Sequence, residues 1–177
     1  NVSNITKAKL VYVPLDKEGR ITIENFKKVL NKNTKVVALN YVSNVMGYIA
    51  PIKEIIRLSH EVGAVVSVDA AQAAPHIRID VKDLDCDFYA FSGHKMLGPT
   101  GIGVLFGKSK LLDDMPPIEF GGDMNDNVDL YEASWKEIPY KFETGTPIIS
   151  GAIGLGAAID YLEEVGLANI ADHEFKL

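Results

Sequence analysis

The chain has 177 residues, 47% hydrophobic and 24% charged, a profile that excludes long disorder, collagen and low-complexity classes. Eighteen Lys+Arg against 24 Asp+Glu leave a formal charge of −6, so a nucleic-acid partner held by basic surface is not expected. No apolar run approaches the ~20 residues of a membrane helix, which argues against a membrane partner. The single cysteine, Cys86, rules out an internal disulfide framework and fits a reducing, cytoplasmic compartment.

A chain of this length buries roughly 70% of its unfolded surface, enough for one core, and residues 1–177 read as one domain. It opens at Asn1 without a methionine or a targeting segment and stops at Leu177 in a helical pattern. The expectation is a piece of a longer polypeptide.

In chain order, Lys9–Pro14 reads as a short strand closed by Pro14, and residues 16–19 as a turn. Thr22 is placed to cap a helix from Ile23 to Leu30, with Ile23, Phe26, Val29 and Leu30 on one face. Lys35–Val42 is the next strand. Pro51 sits in the first turn of a helix that runs to Val62 and is ended by Gly63. Strands follow at Ala64–Asp69, Asp87–Ser92 and Ile102–Phe106. Residues 116–147 are rich in Gly, Pro, Asp and Asn and read as an extended loop region; a final helix spans Ile149–Val165.

Apolar, non-alternating strands separated by helices predict a mostly parallel sheet covered on both faces, a three-layer α/β sandwich. The connection into the last strand is too short for a helical crossover, so that strand is expected antiparallel.

In such sheets ligands collect at the C-terminal strand ends, where Asn44, Asp69 and Ser92-Gly-His-Lys95 stand. Asp69 follows an apolar strand directly and is expected in a partly desolvated place, either meeting a cationic or donor partner or capping the next turn. In the capping case Gln72, three residues on, is a plain surface or capping amide. Lys95, after a small-residue turn and before a glycine-rich run, is placed to act as a nucleophile if desolvated; the alternative is a solvated turn lysine. Ser92, Gly93 and His94 offer hydroxyl, backbone N–H and imidazole groups to a phosphate.

Several look-alikes fail. Gly103–Ser109 has three residues between its glycines where a phosphate-binding P-loop needs four. Gly151, Gly154 and Gly156 do not follow a strand and suit close helix packing. His60, His76, His94 and His173 are scattered, so no metal is expected. Asp83, Asp85 and Asp87 read as a solvated turn, with Cys86 between the last two as a small packed residue.

Val68-Asp-Ala-Ala-Gln72 followed by Asp85-Cys-Asp-Phe-Tyr-Ala-Phe-Ser-Gly-His-Lys-Met-Leu-Gly-Pro-Thr-Gly-Ile-Gly103 resembles the class V aminotransferase family. The chain looks most like its SufS-type cysteine desulfurases, which overlap with the selenocysteine lyases, and Val42–Gly47 and Phe142–Pro147 extend the likeness over nearly its whole length. The resemblance implies the large domain of a pyridoxal phosphate (PLP) enzyme of the aspartate aminotransferase-like fold.

By that resemblance Lys95 would be joined covalently to PLP and would shuttle protons, and Asp69 would pair with the ring nitrogen. Gln72 and Asn44 would bond near the phenolic oxygen, Asn44 also near the substrate carboxylate. Ser92 and His94 would hold the phosphate. Gly145 and Thr146 would reach the phosphate of a neighbouring subunit's cofactor in a homodimer. The implied reaction converts L-cysteine, or a related amino acid, to L-alanine and passes sulfur to an enzyme cysteine and then to an acceptor protein, as in iron–sulfur cluster assembly.

The family's amino-terminal phosphate loop and ring-stacking residue would precede Asn1. Its substrate-binding arginine and sulfur-accepting cysteine would follow Leu177. Gly121-Gly-Asp-Met-Asn125 is a looser match to the family's glycine-rich loop than the lysine region is to its own motif. Other readings are another class V enzyme (aminotransferase, epimerase or selenocysteine lyase) and a non-catalytic domain that kept the fold.

Overall fold

The frame is a four-stranded sheet in the order β1-β2-β3-β4, built from Val36–Asn40, Val65–Asp69, Phe88–Ser92 and Gly103–Gly107. This computed structural model describes residues 2–177. β1, β2 and β3 run parallel, with Asn40 in register with Asp69 and Asp69 with Ala90. β4 returns antiparallel to β3 and sets Gly103 against Ser92, as the short connection requires.

Helices α1 to α7 span Val2–Thr6, Ile23–Val29, Ile52–Glu61, Val81–Leu84, Ser109–Asp114, Ile149–Val165 and Leu167–Phe175. The Thr22 hydroxyl accepts the Asn25 N–H at 3.1 Å, which fixes the start of α2. α3 buries Ile52, Ile55, Ile56 and Leu58. Each such side chain contributes about 1.5–3 kcal/mol of burial. Gly63, at φ +74°, turns the chain out of α3 toward β2, a conformation open to glycine without strain.

The core lies on one face of the sheet, where Val66, Val68 and Tyr89 pack with Ile52, Ile56 and Leu84. Asp69 lies on the other face, on which Val36 and Leu105 are exposed and no side chain of β2 or β3 is buried. The α/β class and the mostly parallel sheet with one antiparallel pair are as expected. The chain's own helical cover is concentrated on the core face.

Three details differ from the sequence expectations. Lys9–Pro14 forms no strand; among the described residues nothing pairs with it, and a lone extended run gains no ladder hydrogen bonds. Residues 116–147 hold a two-stranded hairpin, β5 (Asn125–Val128) with β6 (Ala133–Trp135), whose polar sequence hid the pairing. Asp87 is buried rather than solvated: its carboxylate accepts the Val66 N–H at 2.7 Å and faces His60 and Lys108. Asp83 and Asp85 do stay exposed, around the short helix α4, which Asp80 caps.

Candidate active site

The strand ends carry the candidate residues on three separate turns. The first is a small hairpin over residues 42–49, closed by the Val42–Ile49 bridge and by the Ser43 N–H on the Tyr48 carbonyl at 3.0 Å. It presents Asn44. The second follows β2, where Ala73 and Ala74 both donate to the Ala70 carbonyl at 2.9 Å, and it presents Gln72. Gln72 Nε2 donates to Asn44 Oδ1, so the two amides meet although 28 residues apart in the chain. With His76 they line a cavity of about 510 Å³.

Asp69 ends β2 and is exposed, not partly desolvated, because its side chain lies on the open sheet face. Its Oδ1 accepts the Ala71 N–H at 3.0 Å, so the turn-capping alternative is realised with one carboxylate oxygen.

The third turn carries Lys95. Gly93–Lys95 is one turn of 3₁₀ helix at the end of β3. Gly93 donates to Ile102 at 2.8 Å, and Met96 and Gly98 both donate to Gly93 at 3.0 Å, which folds residues 93–102 into a closed loop. Leu97 sits inside it at φ +64°, a strained position for a bulky residue. Gly154 of α6 packs against Pro99 so closely that a Cβ would lie 2.8 Å from the ring. That close approach is the packing role expected for the helix glycines, realised at Gly154 and not at Gly156, where a Cβ would meet nothing within 4 Å.

Lys95 and His94 are both exposed, Ser92 is half-buried, and the Ser92 hydroxyl does not cap the turn. The desolvated lysine that a nucleophile favours is therefore not what these residues form here. No described element covers the turn on the open face.

Gly145 and Thr146 form a fourth group. Gly145, at φ +69°, donates to the Gly122 carbonyl at 2.8 Å, which ties the segment to the Gly121-Gly122 loop. Neither lines the cavity at Asn44 and Gln72. Among the described residues no group of acidic, His or Cys side chains is arranged to hold a metal ion. No described helix is long and apolar enough to cross a membrane.

The profile of the family described as Aminotransferase class-V matches residues 1–177. The chain belongs to this family. Among curated class-V relatives, a probable cysteine desulfurase from Halalkalibacterium halodurans is 58% identical over 176 residues, which are 99% of this chain and 43% of that protein. Two solved structures are similar. The cysteine desulfurase CsdA from Escherichia coli, described as its S-sulfonic acid, shares 42% identity at a TM-score of 0.90 over 94% of this chain and 42% of that one. A cysteine desulfurase from Thermococcus onnurineus NA1 shares 40% identity at 0.94 over 99% and 44%. The chain thus spans less than half the length of these class-V relatives.

His76 also lines the cavity, although in the sequence it is one of four scattered histidines. Its spacing of four from Gln72 was the available signal.

Proposed function

We propose that this chain is the cofactor-binding part of a PLP-dependent cysteine desulfurase, acting in a longer protein and as a homodimer. The observation that carries the reading is the convergence of Asp69, the Asn44–Gln72 amide pair and the Lys95 turn on the C-terminal edge of one parallel sheet. The family membership and the cysteine desulfurase relatives support it.

The donor set fits the cofactor. Asp69 keeps one oxygen clear of the Ala71 contact, enough to hold a protonated ring nitrogen. The Asn44 amide N–H groups and the second Gln72 Nε2–H lie outside their mutual bond, available to donate to the ring oxygen and to a substrate carboxylate. Ser92, His94 and the adjacent backbone would hold the phosphate. Gly145 and Thr146 would serve a neighbouring subunit's phosphate. When bound, PLP supplies an electron sink for chemistry at the substrate's α-carbon.

Lys95 would be the covalent anchor for the cofactor, and its Nζ would carry a proton to or from the substrate. Overall, L-cysteine and an enzyme thiol would give L-alanine and an enzyme persulfide, whose outer sulfur passes to an acceptor protein. Iron–sulfur cluster assembly in the cytoplasm is the setting that fits.

The test is borohydride reduction of the PLP-loaded full-length enzyme, then peptide mass mapping. Label on Lys95 is the expected result; label confined to Lys108 or Lys110 overturns the assignment.

A further inference from the structure

Helix α7 touches the candidate site at two places. Ile170 packs on the cluster of Met96, Leu155 and Leu162, and Met96 is the neighbour of Lys95. One turn later Glu174 reaches His76, with Nδ1 and Oε1 2.5 Å apart. A carboxylate only accepts, so the imidazole Nδ1 carries the proton and donates. Ile170 and Glu174 are four residues apart and share a helix face. Ala171 and Phe175, on the adjoining strip, line the same cavity as Asn44 and Gln72.

On the opposite wall, His76 stands four residues after Gln72 in one continuous turn. His76 and Ile77 both donate to the Ala73 carbonyl, which itself follows Gln72 directly. A pull on the imidazole is therefore carried by a short, hydrogen-bonded stretch of backbone to the Gln72 amide, and through it to Asn44.

We propose that His76 is a positioning residue: its hydrogen bond to Glu174 holds α7 as one wall of the cavity and keeps the Gln72–Asn44 amide pair in place. The proposal rests on the functional reading above, because the consequence of that placement is cofactor and substrate affinity. His76 and Glu174 are about 42% and 44% exposed, so losing the bond loosens this edge without opening the core.

The experiment uses the full-length enzyme with His76→Ala, Glu174→Ala, the double variant, and His76→Lys, which restores a donor to Glu174. Each single variant is expected to weaken PLP rebinding to the apoenzyme, followed by ring absorbance, by about fivefold, the low end of coupling between sites. KM for cysteine should rise with it, more than kcat falls. The double variant should be no worse than either single, and His76→Lys should recover part of the loss only while Glu174 is present.

Amide hydrogen exchange on the apoenzyme gives an independent readout. Exchange over residues 72–77 should quicken in both single variants. Unchanged exchange and affinity, or losses that add in the double variant, overturn the proposal. A wild-type protein that never binds PLP would sink the functional reading, and apoenzyme exchange would still decide the role of His76.

Discussion

His60 Nε2 and the Asp87 carboxylate meet at 2.9 Å where β2 and β3 begin, at the sheet edge opposite Lys95. Val66 donates its N–H to the same carboxylate at 2.7 Å, and Lys108 reaches it at 3.0 Å and Asp85 at 2.7 Å. One buried charge thus joins α3, β2, β3 and the segment after β4.

Removing that charge is expected to cost about 3 kcal/mol, because it strands His60, Lys108 and a buried N–H. Burial alone would raise the Asp87 carboxyl, but the hydrogen bonds from Val66, His60 and Lys108 outweigh it and hold the group below the usual carboxylate range. A depressed folded pKa means the stabilisation is present above the unfolded value near 4 and is lost as pH falls through the folded one. Denaturant unfolding of wild type and Asp87→Ala at pH 7 and pH 3 reads both effects. The gap between them should narrow in acid; a constant gap contradicts the account.

Tyr89 presents the opposite case. Its hydroxyl is buried without a partner among the described residues, and burial pushes the phenol pKa up. The ring itself packs edge-on to Phe91, with centroids 6.3 Å apart. Tyr89→Phe keeps the ring and removes the unmet hydroxyl, so stability should hold or rise by up to about 1 kcal/mol. A thermal melt showing clear destabilisation would mean that the hydroxyl has a water partner in solution.

These two residues show what a sequence conveys and what it hides. The positions of β1 to β4 and the antiparallel return of β4 follow from local apolar runs and one short connection, both local signals. Asp87 looked solvated because its neighbours Asp83 and Asp85 are; only the arrival of Lys108, 21 residues later, and of His60 from α3 makes burial affordable. Asp69 failed the other way. An apolar strand before it implied desolvation, but which sheet face a strand's last residue joins, and whether that face is covered, is a tertiary fact. Family resemblance singles out Asn44 and Gln72, but their contact across 28 residues, like that of His76 with Glu174, is visible only in the folded chain.

The glycines of the Lys95 loop can be told apart by what a methyl group would strike. At Gly103 a Cβ would lie 2.7 Å from the Phe91 carbonyl oxygen, and at Gly98 it would lie 2.9 Å from the Gly93 carbonyl. Both obstacles are backbone and cannot rotate away. Gly156, in the middle of α6, has nothing within 4 Å. Gly103→Ala and Gly98→Ala should therefore destabilise the protein and weaken cofactor retention. Gly156→Ala should gain about 0.5–1 kcal/mol from helix propensity alone. Chemical denaturation of the three variants side by side checks the ranking, and a neutral Gly103→Ala would show that the loop has slack.

Cys86 is the tempting nucleophile for a desulfurase and is argued against by position, burial and charge together. It is fully buried at the start of β3, whereas Lys95 follows the end of that strand. The six residue steps from Cys86 to Ser92, at ~3.3 Å each, put the thiol roughly 20 Å from the end of β3 that leads into the Lys95 turn. Burial raises the thiol pKa, and Asp87 and Asp85 push it the same way against the opposing effects of Lys108 and a backbone hydrogen bond. A sulfur acceptor has to be an accessible thiolate, and Cys86 is neither accessible nor ionised near neutral pH. In the full-length enzyme, Cys86→Ala is expected to keep cysteine desulfuration within a few-fold of wild type while lowering stability by about 1 kcal/mol, the ordinary effect of trimming a core side chain. Mass spectrometry during turnover should find no persulfide on Cys86. Persulfide there, or loss of activity in a well-folded Cys86→Ala enzyme, would move the nucleophile into the sheet and overturn the placement argued from β3.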